Sequence, residues 1–327
     1  MKGYKIITAI CSLVCVMLLI FDSKTTIEGA KCGTDLCIRA VIPSLFPFFV
    51  LVTAFTSSLS NQDSPVLKQL ARFVGIPEQA VAVLVPAFLG GYPVGAKAVT
   101  DLYRYGTLSK REAERMLAFC SNAGPSFLFG MISSLFPTRD MIWKLWGIQI
   151  LSALITSRLF PALPVECLPT QHQVKEKRLD IMGSAVHAMA SVCGWVILFR
   201  TLITLLNKWI LWRLPTWIHV TIIGILELSN GCYELGKIPS ISVRFLLSCG
   251  ILSFGGICVL LQTVSVTKGL SLRNYVIGKS LQAALSVLMG WIIVSANGKI
   301  LVLLSIFFLF ILVLSQNRCS NPRTYPV

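Results

Sequence analysis

The chain has 327 residues, 55% of them hydrophobic and only 13% charged, with a mean hydropathy of +0.75. A soluble domain carries about 25% charged residues, so these charges are too few to cover one or two soluble domains, and the composition is that of a polytopic membrane protein. The 29 Lys+Arg against 14 Asp+Glu, a formal charge of +15, lie mainly between apolar runs, which fits orientation by basic loops and an anionic solute rather than nucleic acid.

The first apolar run, Ile6 to Phe21, follows Lys2 and Lys5, and Asp22-Ser23-Lys24 offers no cleavage site. It reads as a retained first span with the lysines inside. The next run, from about Cys37 to Leu59, contains Pro43 and Pro47. Residues 60–78 read as a polar loop carrying a short surface helix. Ala80 to Leu89 is apolar but too short to cross, since a span needs about 20 residues, and it ends at Gly90-Gly91-Tyr92-Pro93. Residues 97–115 are the most charged stretch, and Ser109 with Glu112 forms a capping box for a short polar helix. Ser121-Asn122-Ala123-Gly124-Pro125 opens an apolar run to Phe136, and Ile142 to Phe160 is a further span. Residues 161–180 are the main hydrophilic break. Spans are then expected at about Met182–Leu206, Trp217–Leu228, Ser253–Val266, Tyr275–Val294 and Ile300–Leu314. Trp209, Trp212 and Trp217 mark an interfacial end. Lys279 and Arg158 stand near enough to helix ends to snorkel. Arg318 and Arg323 put the tail inside, so the crossings are even in number, about eight counting broken elements.

The break at 161–180 separates two halves that match weakly. Residues 44–51 lie over 191–198, with a helix breaker at the same place in each. Gly90-Gly91 with Lys97 lies over Asn230-Gly231 with Lys237, and Ser121-Asn122-Ala123-Gly124 lies over Ser253-Phe254-Gly255-Gly256. The alternative is chance alignment of apolar, Gly- and Ser-rich segments. Transporters are commonly built from repeated halves whose interrupted helices meet near the bilayer midplane. An interruption there frees backbone N–H and C=O groups, which must face protein, water or a solute. The N–H groups and positive dipole ends of half-helices suit a carboxylate or other anion. The competing reading is that these glycines only let helices pack closely.

A charge at the bilayer midplane costs at least about 2.5–3.5 kcal/mol. Arg200 and Glu227 lie within apolar runs, Glu227 just before Ser229-Asn230-Gly231. They are expected to pair and to border the transport site, although such a pair could equally be structural. The candidate solute-binding residues are therefore Gly90, Gly91, Tyr92, Ser121, Asn122, Gly124, Arg200, Glu227, Asn230, Ser253, Gly255 and Gly256. Of the eleven cysteines most sit in apolar runs; Cys32 and Cys37 could pair or bind metal, but no second Cys/His cluster accompanies them, and no metal is expected. No phosphate loop, nucleophile elbow or zinc-protease motif is present, so neither an enzyme nor a cofactor is expected.

The strings Ile42-Pro43-Ser44-Leu45-Phe46-Pro47-Phe48-Phe49-Val50, Gly90-Gly91-Tyr92-Pro93-Val94-Gly95-Ala96-Lys97 and Ser121-Asn122-Ala123-Gly124-Pro125-Ser126-Phe127, with Ser253 to Gln262, resemble the YlbJ-type sporulation integral membrane proteins. A looser nucleoside-recognition or gate-domain label is shared with concentrative nucleoside transporters and ferrous-iron permeases. The resemblance implies an all-α multi-pass protein with two gate-like repeats of interrupted or re-entrant helices. Its parts would be a first span and loop (1–36), a first repeat (37–160), a linker (161–180), a second repeat with closing helices (181–316) and a tail (317–327). It further implies the outer forespore membrane and the movement of dipicolinate, a small aromatic dicarboxylate. Other sporulation membrane proteins are possible partners alongside the bilayer. Two alternatives stay open: a non-transporting factor for spore cortex or coat assembly, and a nucleoside-type permease.

Overall fold

The computed structural model describes residues 19–58, 65–160 and 181–295, with Leu13, Val16 and Met17 before them. Most of the expected span at Ile6–Phe21, the 161–180 linker, the expected span at Ile300–Leu314 and the tail lie outside the described residues.

The described chain is all-helical. Helix α1 (Ser23–Leu36) is capped by Asp22 and runs through a π-turn into α2 (Ile42–Ser58). The amphipathic α3 (Pro65–Val74) buries Ala71 and Val74. A hairpin follows, of α4 (Leu84–Leu89) and α5 (Val94–Arg104), with Gly90–Pro93 at its tip. Next come α6 (Lys110–Met116), α7 (Pro125–Gly130) and α8 (Arg139–Leu159). The second half holds α9 (Ile181–Trp209) and a second hairpin of α10 (Thr216–Leu226) and α11 (Leu228–Glu234). It closes with α12 (Ile241–Phe254), α13 (Gly256–Val266) and α14 (Arg273–Ser295).

Three runs are long and apolar enough to cross a bilayer: Ile181–Trp209, Ile241–Val266 and Arg273–Ser295. Two bent pairs, Ser23–Val41 with Leu45–Leu51 and Lys68–Val74 with Glu78–Leu89, raise the number to five if each is one span. The expected span at Trp217–Leu228 is instead the α10 arm, whose 11 residues reach only about 17 Å, half a bilayer core.

Contacts at the helix ends fix the direction of each element. At one end, which we call the Arg104 end, Arg158 Nη2 donates to the Arg72 carbonyl (2.9 Å), and Arg115 donates to the carbonyls of Gly75 and Phe160. Glu114 accepts from the Ser271 amide there (2.8 Å). At the opposite, Trp212 end, Arg244 donates to the carbonyls of Leu135 and Ile238, and Lys208 pairs with Asp22 at 2.6 Å. The α4/α5 hairpin therefore enters from the Arg104 end, and α6–α7 crosses from there to the Trp212 end with an interruption at Ser121–Gly124. The α10/α11 hairpin enters from the Trp212 end, and α12–α13 crosses the opposite way with an interruption at Gly255. In each half a helical hairpin is followed by an interrupted run from one end of the bundle to the other, and the two halves run in opposite directions.

Close approach is built from glycine. Gly29 and Gly33 of α1, four apart, face α9, where an added Cβ would stand 2.9 Å from the Cα of Thr201 and of Ile197 respectively. Small residues at this spacing let apolar helices meet backbone to backbone.

Of two expected breaks, the first is a 53° bend between Val41 and Leu45, just ahead of Pro47, and the second is absent, since α9 continues through Gly194. A glycine costs a helix interior only about 1 kcal/mol, less than α9 gains by packing along α1. The second-half hairpin turns at Glu227, three residues before Asn230, because the Glu227 carboxylate caps α11.

Candidate functional site

The four interruptions meet in the core. A Cβ on Gly91 would stand 3.3 Å from the Gly124 amide nitrogen, so the first hairpin tip lies on the first broken crossing. The Tyr92 hydroxyl donates toward the carbonyls of Leu252 (3.1 Å) and Ser253 (3.2 Å), beside the second broken crossing. There the left-handed turn at Gly255 (φ +83°) seats its Cα against the Tyr92 ring, where a Cβ would come within 3.1 Å. A Cβ on Gly256 would stand 3.2 Å from the Gly224 carbonyl, placing the second hairpin against the same turn.

Lys279 of α14 reaches into this junction. The expected snorkelling of this residue is overturned: it is 1% exposed, held off the surface by the packing of Gly278 on Ala118. Its ammonium faces the Ser121 carbonyl (2.8 Å), Gln282 Oε1 (2.6 Å) and Asn122 Oδ1 (3.5 Å), and lies 4.9 Å from the centre of the Tyr92 ring. An ammonium carries three donors and no acceptor, and three oxygens and an aromatic face surround this one. Among the described residues no carboxylate lies within 4 Å of it.

The lysine sits in a continuous polar network. Asn122 Nδ2 donates to the carbonyls of Ala87 (3.2 Å) and Phe119 (2.9 Å), tying the first hairpin to the broken crossing, while its Oδ1 accepts from Gln282 Nε2 (2.8 Å). Gln149 of α8 donates to the Leu252 carbonyl (3.0 Å), and Ser253, Ser286 and Ser152 form a hydroxyl chain at 2.7 and 2.9 Å. One buried acceptor, Gln149 Oε1, has no hydrogen-bond partner among the described residues. An unmet buried polar atom costs about 1–3 kcal/mol, which marks this core as more polar than packing requires.

Of the residues expected at the site, Gly91, Tyr92, Ser121, Asn122, Gly124, Ser253 and Gly255 meet here, with Gly90 at the same hairpin tip. Arg200, Glu227 and Asn230 form a second cluster, on the far side of Gly256. Arg200 does not pair with Glu227 directly; Asn230 Oδ1 accepts from Arg200, and its Nδ2 donates to Glu227 Oε2 (2.7 Å). Glu227 spends both oxygens on the start of α11, accepting from the amides of Ser229 (3.0 Å) and Asn230 (2.6 Å). No hydrogen bond joins this cluster to the Lys279 network among the described residues. Cys32 and Cys37 are both free; Cys37 Sγ donates to the Cys193 carbonyl at 3.7 Å.

The residues that sequence reasoning passed over are Lys279, Gln282 and Gln149. The signal was present: Tyr275, Lys279, Gln282 and Ser286 recur at helical spacing as one polar stripe on an otherwise apolar helix.

Comparison with known proteins finds a relative of similar sequence. Over an alignment of 333 positions the chain is 23% identical to the sporulation integral membrane protein YlbJ of Bacillus subtilis (strain 168), covering 84% of this chain and 79% of that protein. The chain is similar to YlbJ over most of its length. The similarity spans both halves, and the resemblance carried by the glycine strings holds for most of the molecule. No family model and no solved structure matches the chain. With its apolar helices, this makes the chain an integral membrane protein.

Proposed function

We propose that this protein is a carrier, not an enzyme, and that it moves a small carboxylate of the dipicolinate class across the outer forespore membrane during sporulation. The observation that carries this reading is the Lys279 ammonium, buried with no carboxylate within 4 Å among the described residues, where the first hairpin tip, the first broken crossing and the Gly255 turn meet. A cation in that position is costly unless something anionic visits it. The hairpin tips and broken crossings supply flexible backbone on both sides of it, and their opposed directions suit access from either end in turn. Eight crossings accommodate the arrangement: the apolar runs at 6–21 and 300–314, α1–α2, α6–α7, α8, α9, α12–α13 and α14. Arg104, Lys110, Arg111, Arg115, Arg158, Lys268 and Arg273 at the Arg104 end support a cytoplasmic position for it. YlbJ, by its name a sporulation membrane protein, supports the setting.

The test is dipicolinate binding and uptake by the purified full-length chain in liposomes, compared with Lys279→Met. Lys279→Met takes the donor away from three buried oxygens and is expected to destabilise the protein by about 1–3 kcal/mol, so uptake is compared per folded protein, where it is expected to fall by at least about tenfold. Lys279→Arg is expected to keep part of it. Absence of saturable binding of dipicolinate, other dicarboxylates and nucleosides to folded protein would replace the carrier with an assembly factor. Saturable binding of nucleosides instead would point to a permease of that type.

A further inference from the structure

A cavity of about 120 Å³ opens at the Arg104 end, between α5, α9 and the end of α13, apart from the Lys279 junction. Lys97, Asp101 and Arg104 reach it from one face of α5, at positions i, i+4 and i+7. His187 comes from α9, and Lys268 follows the end of α13. The floor is a buried ion pair: Lys97 and Asp101 are 5% and 7% exposed and meet at 2.6 Å. The rim is different. Arg104, Lys268 and His187 are exposed, and neither Arg104 nor Lys268 has a carboxylate within ion-pair reach among the described residues. Among the described lining residues, three fixed cations stand against one carboxylate.

We propose that this cavity is a second anion-binding site, which receives a small dicarboxylate before it reaches the Lys279 junction. The volume is that of about four waters, which fits the carboxylate-bearing end of a small ligand at the open mouth and is too small for a nucleotide. The two rim cations can each hold one carboxylate group. Lys97 lies one turn beyond Pro93 on the helix that carries the first hairpin tip, so the cavity and that tip share α5. The order of the two sites rests on the carrier reading; the existence of the cavity site does not.

The experiment separates the two. Equilibrium binding of dipicolinate is measured on the full-length protein in nanodiscs of neutral lipid, for wild type, Lys279→Met, and Lys279→Met combined with Arg104→Gln and Lys268→Gln. The Lys279→Met protein is expected to retain one bound dipicolinate, and the rim substitutions to weaken it by about tenfold per charge lost. Restoring charge as Arg104→Lys is expected to recover part of the affinity, which a general loss of fold would not allow. In an otherwise wild-type background the two rim substitutions are expected to raise the KM of uptake with little change in kcat. Equal binding with and without the rim charges, or no binding by Lys279→Met and wild type alike, overturns the cavity site. Displacement of the probe by inorganic phosphate or phosphatidylglycerol, but not by other dicarboxylates, overturns the ligand class. Rim-dependent binding in a protein that transports nothing upholds the site while the carrier reading fails.

Discussion

At the scale of single residues, the function and the packing are decided by whether a side chain has room and partners. Gly278 packs on Ala118 so closely that an added Cβ would overlap the Ala118 carbonyl oxygen, whereas nothing stands within 4 Å of the corresponding point on Gly194. Gly278→Ala is therefore expected to destabilise the protein by about 1–3 kcal/mol through overpacking. Gly194→Ala is expected to be neutral or to stabilise by up to about 1 kcal/mol through helix propensity. Thermal unfolding in detergent compares them directly. Both glycines look alike in the sequence, each within an apolar helix. Only the neighbouring chain distinguishes them, because its position is not encoded near either residue.

At the scale of elements, α9 is the pillar against which α1 rests, and polar ties close both ends of the contact. At the Trp212 end Lys208 Nζ and Trp209 Nε1 share Asp22 Oδ2, at 2.6 and 3.2 Å. Lys208 beside it, with help from the Thr25 hydroxyl, holds the Asp22 carboxyl down at about 2, below its ordinary 3.8. A depressed carboxylate stabilises the fold above its ordinary value and loses that contribution as pH falls through the lower one. The tie is thus complete above about pH 4 and is lost toward pH 2. Unfolding temperatures measured from pH 5 to pH 2 are expected to fall less steeply in Asp22→Asn than in wild type. In the second hairpin, Glu227 stood out in the sequence as a charge in an apolar run. Its use as a cap for α11 was not legible, since Asn230 intervenes between it and Arg200 only once the hairpin has folded.

At the scale of the whole molecule, the two halves are alike in order and opposed in direction. The α4/α5 hairpin enters from one end of the bundle and the α10/α11 hairpin from the other. A single cysteine in place of Tyr105 is therefore expected to react with a membrane-impermeant maleimide from the cytoplasmic side. One in place of Tyr233 should react from the opposite side, both in a background from which the eleven native cysteines have been removed. Labelling of both from one side would remove the opposed arrangement and the alternating access built on it. The weak match of Gly90-Gly91 to Asn230-Gly231 and of Ser121–Gly124 to Ser253–Gly256 already carried the order of the elements. Their direction was not carried, because hydropathy is the same whichever way a helix runs.

What the amino-acid sequence by itself determined is the class and the punctuation. Low charge and long apolar runs require a bilayer, and glycine, proline and small polar residues require that several helices be interrupted. Both follow from local chemistry, the transfer of side chains into lipid and the conformations open to each backbone. What only the tertiary structure decided is which interruptions meet and what they enclose. Lys279 reads as an interfacial lysine until α14 is packed against Ala118 and Ser121, some 160 positions earlier in the chain. Burial of a charge is a property of its surroundings, and here the surroundings come from four separate segments.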